Sequence, residues 1–185
     1  MRWRVRAGYP LAVVYWLLAH PVARSIAAGV GVALLGLMVR TVASGYLQKD
    51  RSLATAGPYA RTRNPLYLGS SLIAAGFAIA GDSWSAAVLL TVYFSVFYYA
   101  VMRNEEEDLR ERFGAPYVEY AARVPLFFPL LLPAAGEKAE QAAQPSQSFS
   151  CAQYRRNREY RAFIGTLAAL GTLWLRAWIR TRWGF

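Results

Sequence analysis

Two residue types that build metal sites and covalent staples are almost missing from this 185-residue sequence, which holds one cysteine, Cys151, and one histidine, His20. A lone cysteine excludes an internal disulfide, so nothing marks an oxidising compartment. With one Cys and one His there is no zinc-type ligand cluster, and no metal is expected. Gly-x-Gly-x-x-Gly and phosphate-cradling loops are absent too. Charge is scarce at 17% of residues, and acids are scarcer still, 11 against 21 Lys and Arg. What remains is 56% hydrophobic, too apolar for an ordinary soluble domain.

The apolar residues run all round their helical wheels instead of forming one stripe, which points to lipid as the neighbour. Five apolar segments emerge: Tyr9 to Ala19, Ile26 to Val42, Leu66 to Ala80, Trp84 to Met102 and Ala162 to Ile179. Crossing hydrocarbon takes about 20 residues, so the first is short and reads as a tilted half-span or a re-entrant piece. The expectation is an all-α polytopic membrane protein of about five transmembrane or membrane-embedded helices, forming one domain over residues 1–185. Arg2, Arg4 and Arg6 before Leu11 imitate a signal peptide, but no small-x-small cleavage site follows, and the segment reads as a retained anchor.

A net charge of +10 would suggest nucleic acid in a soluble chain. Here the basic residues lie between apolar runs, a topology signal directed at anionic headgroups, and no nucleic-acid partner is expected. Turns at His20-Pro21 and Gly81-Asp82-Ser83 fold the first four segments into two hairpins. The N-terminus, the Arg40–Arg63 loop and the Arg103–Arg161 segment then share one side, with 17 of the 21 basic residues. The positive-inside rule makes that side cytoplasmic; in a bacterium the membrane would be the plasma membrane. Arg176, Arg180 and Arg182 fall on the far side if the last segment spans fully, or snorkel if it lies along the interface. The stretch Ala134 to Gln153, rich in Ala, Gln, Ser and Glu, reads as a polar linker that carries Cys151.

Three stretches stand out for chemistry. Gly57-Pro58-Tyr59-Ala60-Arg61-Thr62-Arg63-Asn64-Pro65-Leu66-Tyr67-Leu68-Gly69 runs from a turn into the third segment. Pro65 suits the first helical turn and Asn64 can cap it, so free N–H groups and two arginines offer an anion site. The plain alternative is a capped helix with snorkelling arginines. Glu105-Glu106-Glu107-Asp108 follows the fourth segment, where acids oppose the helix dipole. They are either a solvated charge run or compensated by a partner. Counting back through the turn at Asp82 puts these acids roughly 9 Å beyond the level of Pro65 on one face. Leu109-x-x-x-Phe113-Gly114-x-x-Tyr117-x-x-Tyr120, leading to Val124-Pro125-Leu126-Phe127-Phe128-Pro129, reads as an amphipathic helix broken at Gly114, a surface anchor or a lid.

Arginines, a helix N-terminus and carboxylates on one face suit a ligand with both signs of charge, such as S-adenosylmethionine. Its sulfonium would favour aromatic faces, and Tyr59, Tyr67, Tyr98, Tyr99, Tyr117 and Tyr120 lie near these motifs. The Gly-Pro-Tyr, Arg-Asn-Pro-x-Tyr-x-Gly, Glu-Glu-x-x-Leu-x-x-x-Phe-Gly-x-x-Tyr-x-x-Tyr and Val-Pro/Phe-Pro blocks between Gly57 and Pro129 resemble the isoprenylcysteine carboxyl and phospholipid methyltransferase superfamily. The resemblance implies S-adenosylmethionine as methyl donor, held by Arg63, Asn64, Pro65, Tyr67, Gly69, Glu105 and Glu106. It implies methyl transfer to a lipid-like acceptor, an isoprenylcysteine carboxylate or a phospholipid amine, at the membrane interface. Asn64 stands where the carboxyl methyltransferase branch has His, and Asn cannot take a proton. The phospholipid branch's glycine-x-glycine element is not evident near Ser44-Gly45-Tyr46.

Rival readings are a non-catalytic membrane protein of the same fold, a sterol-reductase-like oxidoreductase and a small transporter. The last would need mid-membrane polar residues beyond the Ser and Thr present. Small residues four apart, Ala27/Gly31, Ser70/Ala74 and Gly76/Ala80, are expected to mark close helix contacts.

Overall fold

In the computed structural model the described residues are 2–48, 52–132 and 148–183, with side chains from Gly8 onward. Seven α-helices occur among them: α1 (Arg2–Leu18), α2 (Ala23–Tyr46), α3 (Pro65–Ala80), α4 (Trp84–Phe113), α5 (Ala115–Arg123), α6 (Cys151–Arg156) and α7 (Tyr160–Trp183). A short 3-10 turn covers Gly57–Ala60, and no strand occurs among the described residues. The chain is an all-helical membrane protein. Three helices, α2, α4 and α7, are long and apolar enough to cross a membrane; α3 and the apolar part of α1, Gly8–Leu18, are shorter.

The α2–α3 pair is the most tightly packed part of the bundle. In lipid nothing hydrophobic pushes helices together, so close approach must come from small residues at the contact. Gly29, Ala33 and Gly36 of α2 are buried there, facing Gly69, Ile73, Gly76 and Ala80 of α3. A Cβ on Gly36 would lie 2.5 Å from the Gly69 carbonyl oxygen, and one on Gly76 2.6 Å from the Gly29 oxygen. The expected Ala27/Gly31 pair is a misplaced register. Both residues are exposed and Gly31 faces open space, because α2 turns the Gly29–Ala33–Gly36 face toward its partner.

The hairpin turns lie together at one end of the bundle. The His20 amide donates to the Gly81 carbonyl at 2.6 Å, and Ser25 Oγ lies within hydrogen-bond distance of the Ala80 carbonyl. Nearby, Tyr15 donates to the Phe77 carbonyl at 2.6 Å, within a core of Ala33, Ala80, Ala86, Leu90, Leu170 and Leu173. Arg176 donates to the carbonyls of Trp16 and Leu17 and lies over the Trp16 ring, so α7 caps the free C-terminal carbonyls of α1. Arg176 and Arg180 thus reach the end opposite the motif-bearing loops, as a full-length last helix requires. Large apolar side chains remain outside, among them Val88, Val92 and Val96 in one row on α4. Such a row suits lipid.

Much of the expected polar linker, residues 134–147, lies outside the described residues. Its last three residues are helical: Ser150 Oγ accepts from the Gln153 amide and starts α6 at Cys151, whose thiol is exposed and free. This segment docks on the C-terminal end of α2. Gln153 Nε2 donates to the Leu47 carbonyl at 2.7 Å, and Asn157 Nδ2 donates to the carbonyls of Ser44 and Leu47. Side-chain amides here satisfy carbonyls that a helix end leaves open.

Candidate functional site

The other end of the bundle is organised by prolines. The residue before a proline is pushed out of the α region, and Val124, before Pro125, ends α5 in an extended conformation. Residues 124–130 therefore offer backbone groups with no helical partner, and the loop before α3 meets them. The Arg63 amide donates to Pro125 O at 2.9 Å, the Leu130 amide to Arg61 O at 2.9 Å and the buried Thr62 hydroxyl to Phe127 O at 2.9 Å. Asn64 Nδ2 donates to Leu126 O at 3.0 Å. This corrects the expected cap: Asn64 occupies the N-cap position of α3, but its side chain makes no capping bond there. Pro65 follows at the first helical position and is buried.

Gly114 turns α4 into α5 with φ +58°, a left-handed value that only glycine adopts without strain. The turn brings Tyr117 and Tyr120 into a small core with Val124, Leu53 and Phe113. The Tyr120 hydroxyl donates to the Tyr59 carbonyl at 2.7 Å and ties α5 to the Gly57–Ala60 turn.

Between these elements Arg63 meets Glu106. Arg63 Nη1 donates to Glu106 Oε1 at 2.6 Å and to the Tyr117 hydroxyl at 3.2 Å. Glu106 Oε2 takes a second bond from Arg103 at 3.1 Å. The acids are expected roughly 9 Å beyond the level of Pro65, and the long Arg63 side chain reaches one of them. Burial alone would raise the Glu106 carboxyl, but the bonds from Arg63 and Arg103 outweigh it and hold the group below the usual carboxylate range. The converse holds for Arg63, where burial disfavours the charge and Glu106 and Tyr117 more than restore it. One donor is left over: Arg63 Nε is buried and has no acceptor among the described residues. A buried unpaired donor costs about 1–3 kcal/mol, so its persistence asks for an acceptor.

Glu105 is exposed and forms no hydrogen bond or ion pair among the described residues. It is near enough to the buried Tyr59 that, after burial itself and Tyr120, its charge helps push that hydroxyl well above its ordinary value. Tyr67, half-buried in the first turn of α3, meets Tyr98 edge-on at 5.1 Å, and Tyr98 meets Phe94 at 4.8 Å. Of the seven expected residues, Arg63, Asn64, Pro65 and Glu106 thus share one cluster, Glu105 borders it, and Tyr67 joins an aromatic row on its membrane side. Gly69 faces elsewhere, against Arg40 and Gly36 in the α2–α3 contact.

Sequence reasoning missed a second ion pair beside the first. Arg40 Nη2 lies 2.7 Å from Glu159 Oε2 and 2.9 Å from Oε1, while Nη1 donates to Leu66 O at 3.3 Å and to Ser70 Oγ. Both side chains are largely buried. The pair joins α2, the first turns of α3 and the start of α7, and its charges also reach Tyr59. Two signals were available: a charge inside an apolar run, and one acid, Glu159, in a stretch of arginines from Arg155 to Arg161.

Residues 32–116, a little under half of the chain, match the phospholipid methyltransferase family. That range holds all seven expected residues and Arg40, but not Glu159. Among curated proteins the chain is 36% identical over 104 residues to the cobalt-zinc-cadmium resistance protein CzcN of Cupriavidus metallidurans, covering 56% of this chain and 47% of that one. It is 33% identical over 106 residues to the nickel-cobalt-cadmium resistance protein NccN of Alcaligenes xylosoxydans xylosoxydans, covering 54% and 49%. Protein-S-isoprenylcysteine O-methyltransferase of Schizosaccharomyces pombe is 31% identical over 83 residues, covering 45% and 35%. The chain spans about half the length or less of these relatives. No solved structure matches it significantly. The resemblance to the integral-membrane methyltransferases read from the motifs therefore stands.

Proposed function

Because residues 32–116 match the phospholipid methyltransferase family, we propose that this membrane protein transfers a methyl group from S-adenosylmethionine to a lipid-like acceptor at the cytoplasmic face of its membrane. The observation that carries the reading is the charge pattern around Arg63. A buried donor without an acceptor, Arg63 Nε, lies in the same cluster as the N-terminus of α3, and the exposed carboxylate of Glu105 borders it. An amino-acid moiety carries both complements: a carboxylate for the guanidinium and helix end, an ammonium for the acids.

When bound, S-adenosylmethionine supplies a methyl group made electrophilic by its sulfonium. The rest falls to this chain. Arg63 and the first N–H groups of α3 receive the carboxylate. Glu105 accepts from the ammonium or ribose hydroxyls, while Glu106 holds Arg63 in place through its 2.6 Å bond. The rings of Tyr67 and Tyr98 give a face that favours positive charge. The segment 124–130, tied to Thr62, Arg63 and Asn64, covers the loop and keeps water out. An apolar acceptor reaches the site sideways from lipid, and alignment of the two reactants supplies much of the rate. Asn64, held by Leu126 O, positions the loop and takes no proton. The acceptor classes are a phospholipid amine or an isoprenylcysteine carboxylate. Calorimetry with S-adenosylhomocysteine tests the donor half of the reading, and radiolabelled donor added to membranes, followed by lipid separation, tests the acceptor half.

A second reading, a part in metal resistance, is favoured by the names of the two bacterial relatives. Among the described residues no group of three or more His, Cys, Asp or Glu is placed to hold a metal ion. On this reading the chain contributes through methylation of a membrane component, so a donor-site variant such as E105Q should lose protection against cobalt, zinc or cadmium together with methyl transfer.

A further inference from the structure

At the end of the bundle opposite the candidate site, a cleft of about 660 Å³ opens between the α1–α2 turn and the last turns of α7. We propose that this cleft is a binding site for one phospholipid with an anionic headgroup, drawn from the leaflet opposite the candidate site.

The walls and the mouth differ in chemistry. Val22 and Ile26 of the α2 end and Trp174 and Trp178 of α7 give apolar walls, while Arg180 and His20 stand at the mouth, with Arg180 Nη1 3.1 Å from His20 Nδ1. Trp174, Ala177, Trp178 and Thr181 fall on one face because they are three or four residues apart on a helix, and Arg180 flanks that face beside Ala177. Apolar wall grading into cation is the pattern that an acyl chain and its phosphate require.

Position narrows the occupant to lipid. The cleft lies between two helices able to cross a membrane, at the level where Trp and Arg are favoured because one end of each side chain is apolar and the other wet. Trp174 and Trp178 remain 59% and 50% exposed, so the apolar wall is not consumed by packing within the chain. Charge narrows it to an anionic lipid. Arg24, Arg176, Arg180 and Arg182 lie at this end, and Asp82 is the single acid there among the described residues. Arg176 is engaged with the Trp16 and Leu17 carbonyls and fixes α7 against α1, which keeps the cleft open one turn before Arg180. The first N–H groups of α2 add a positive dipole end beside Val22 and Ala23, both of which line the cleft.

Native mass spectrometry of the full chain, released from detergent micelles doped with equal amounts of phosphatidylglycerol and phosphatidylcholine, tests the proposal. One phosphatidylglycerol should be retained in preference, and Arg180→Gln should weaken that retention about tenfold with helix content unchanged. Millimolar inorganic phosphate should not displace the lipid. Equal retention of the two lipids, full retention by Arg180→Gln, or displacement by phosphate alone would each overturn it. If Arg180→Gln does not fold, Ala177→Phe takes its place, since it fills the cleft and keeps every charge. It should lose the lipid, and normal retention would reject the site.

Discussion

Arg63 and Glu106, 43 residues apart in sequence and on either side of a membrane hairpin, meet at 2.6 Å. Arg103 holds the second oxygen of Glu106, so one carboxylate locks the loop before α3 to the C-terminal part of α4. Glu105, next to it, is exposed and forms no hydrogen bond or ion pair among the described residues. On the proposed reading the two neighbours have separable roles.

That division predicts different signatures for three conservative changes. Glu106→Gln weakens a charge-assisted, mostly buried contact and should cost about 1–3 kcal/mol of stability, with donor affinity falling alongside. Glu105→Gln, at an exposed and unpaired position, should change stability by less than about 0.5 kcal/mol yet lower donor affinity about tenfold or more. Glu107→Gln should change neither. Thermal unfolding in detergent and calorimetry check the set, and uniform behaviour of all three would refute the assignment.

Acid should loosen the same contact. A carboxyl held below its ordinary value of about 4.5 contributes stability that is fully present above that pH and is lost as pH falls through the folded value. Wild-type unfolding temperature should therefore drop more steeply below about pH 4.5 than that of Glu106→Gln. Parallel pH profiles would contradict the depressed carboxyl.

Two glycines in one helix should respond oppositely to alanine. Gly36→Ala drives a methyl against the Gly69 backbone and should cost about 1–3 kcal/mol or separate α2 from α3. Gly31→Ala meets open space and should be neutral or stabilising by up to about 1 kcal/mol, the helix-propensity gain. Melting curves of the two variants decide the register.

Orientation carries its own check. With the candidate site on the cytoplasmic side, cysteines placed at Gln48 and Glu111 in a Cys151→Ser background should resist a membrane-impermeant thiol reagent added to intact cells. A cysteine at Ser83, in the opposite turn, should react. The reverse pattern would invert the topology.

The helices were legible because hydropathy reports burial in lipid directly, and the two hairpin turns carry Gly, Pro and Ser in the expected places. That Arg63 and Glu106 lie at one end of the bundle was legible because counting residues through a hairpin brings both to one face; their direct contact was not, since in the sequence both read as facing a ligand. The helix-contact register was not, since small residues four apart say that a face can approach a neighbour without saying which face does. Asn64 misled for a related reason: an N-cap residue next to Pro65 looks self-sufficient locally, and only the distant Leu126 carbonyl, which accepts from Nδ2, draws its side chain away from the helix end. The Arg40–Glu159 pair, separated by 119 residues, leaves no local trace of its partner choice.

Methyl transfer at this site is checked by incubating membranes that contain the full chain with methyl-labelled S-adenosylmethionine, for wild type and for Glu105→Gln. Label should appear in an apolar, lipid-extractable product for wild type and fall about tenfold or more for the variant, at equal folded protein. No label in the lipid fraction from folded wild-type protein, or equal labelling by the variant, would contradict it.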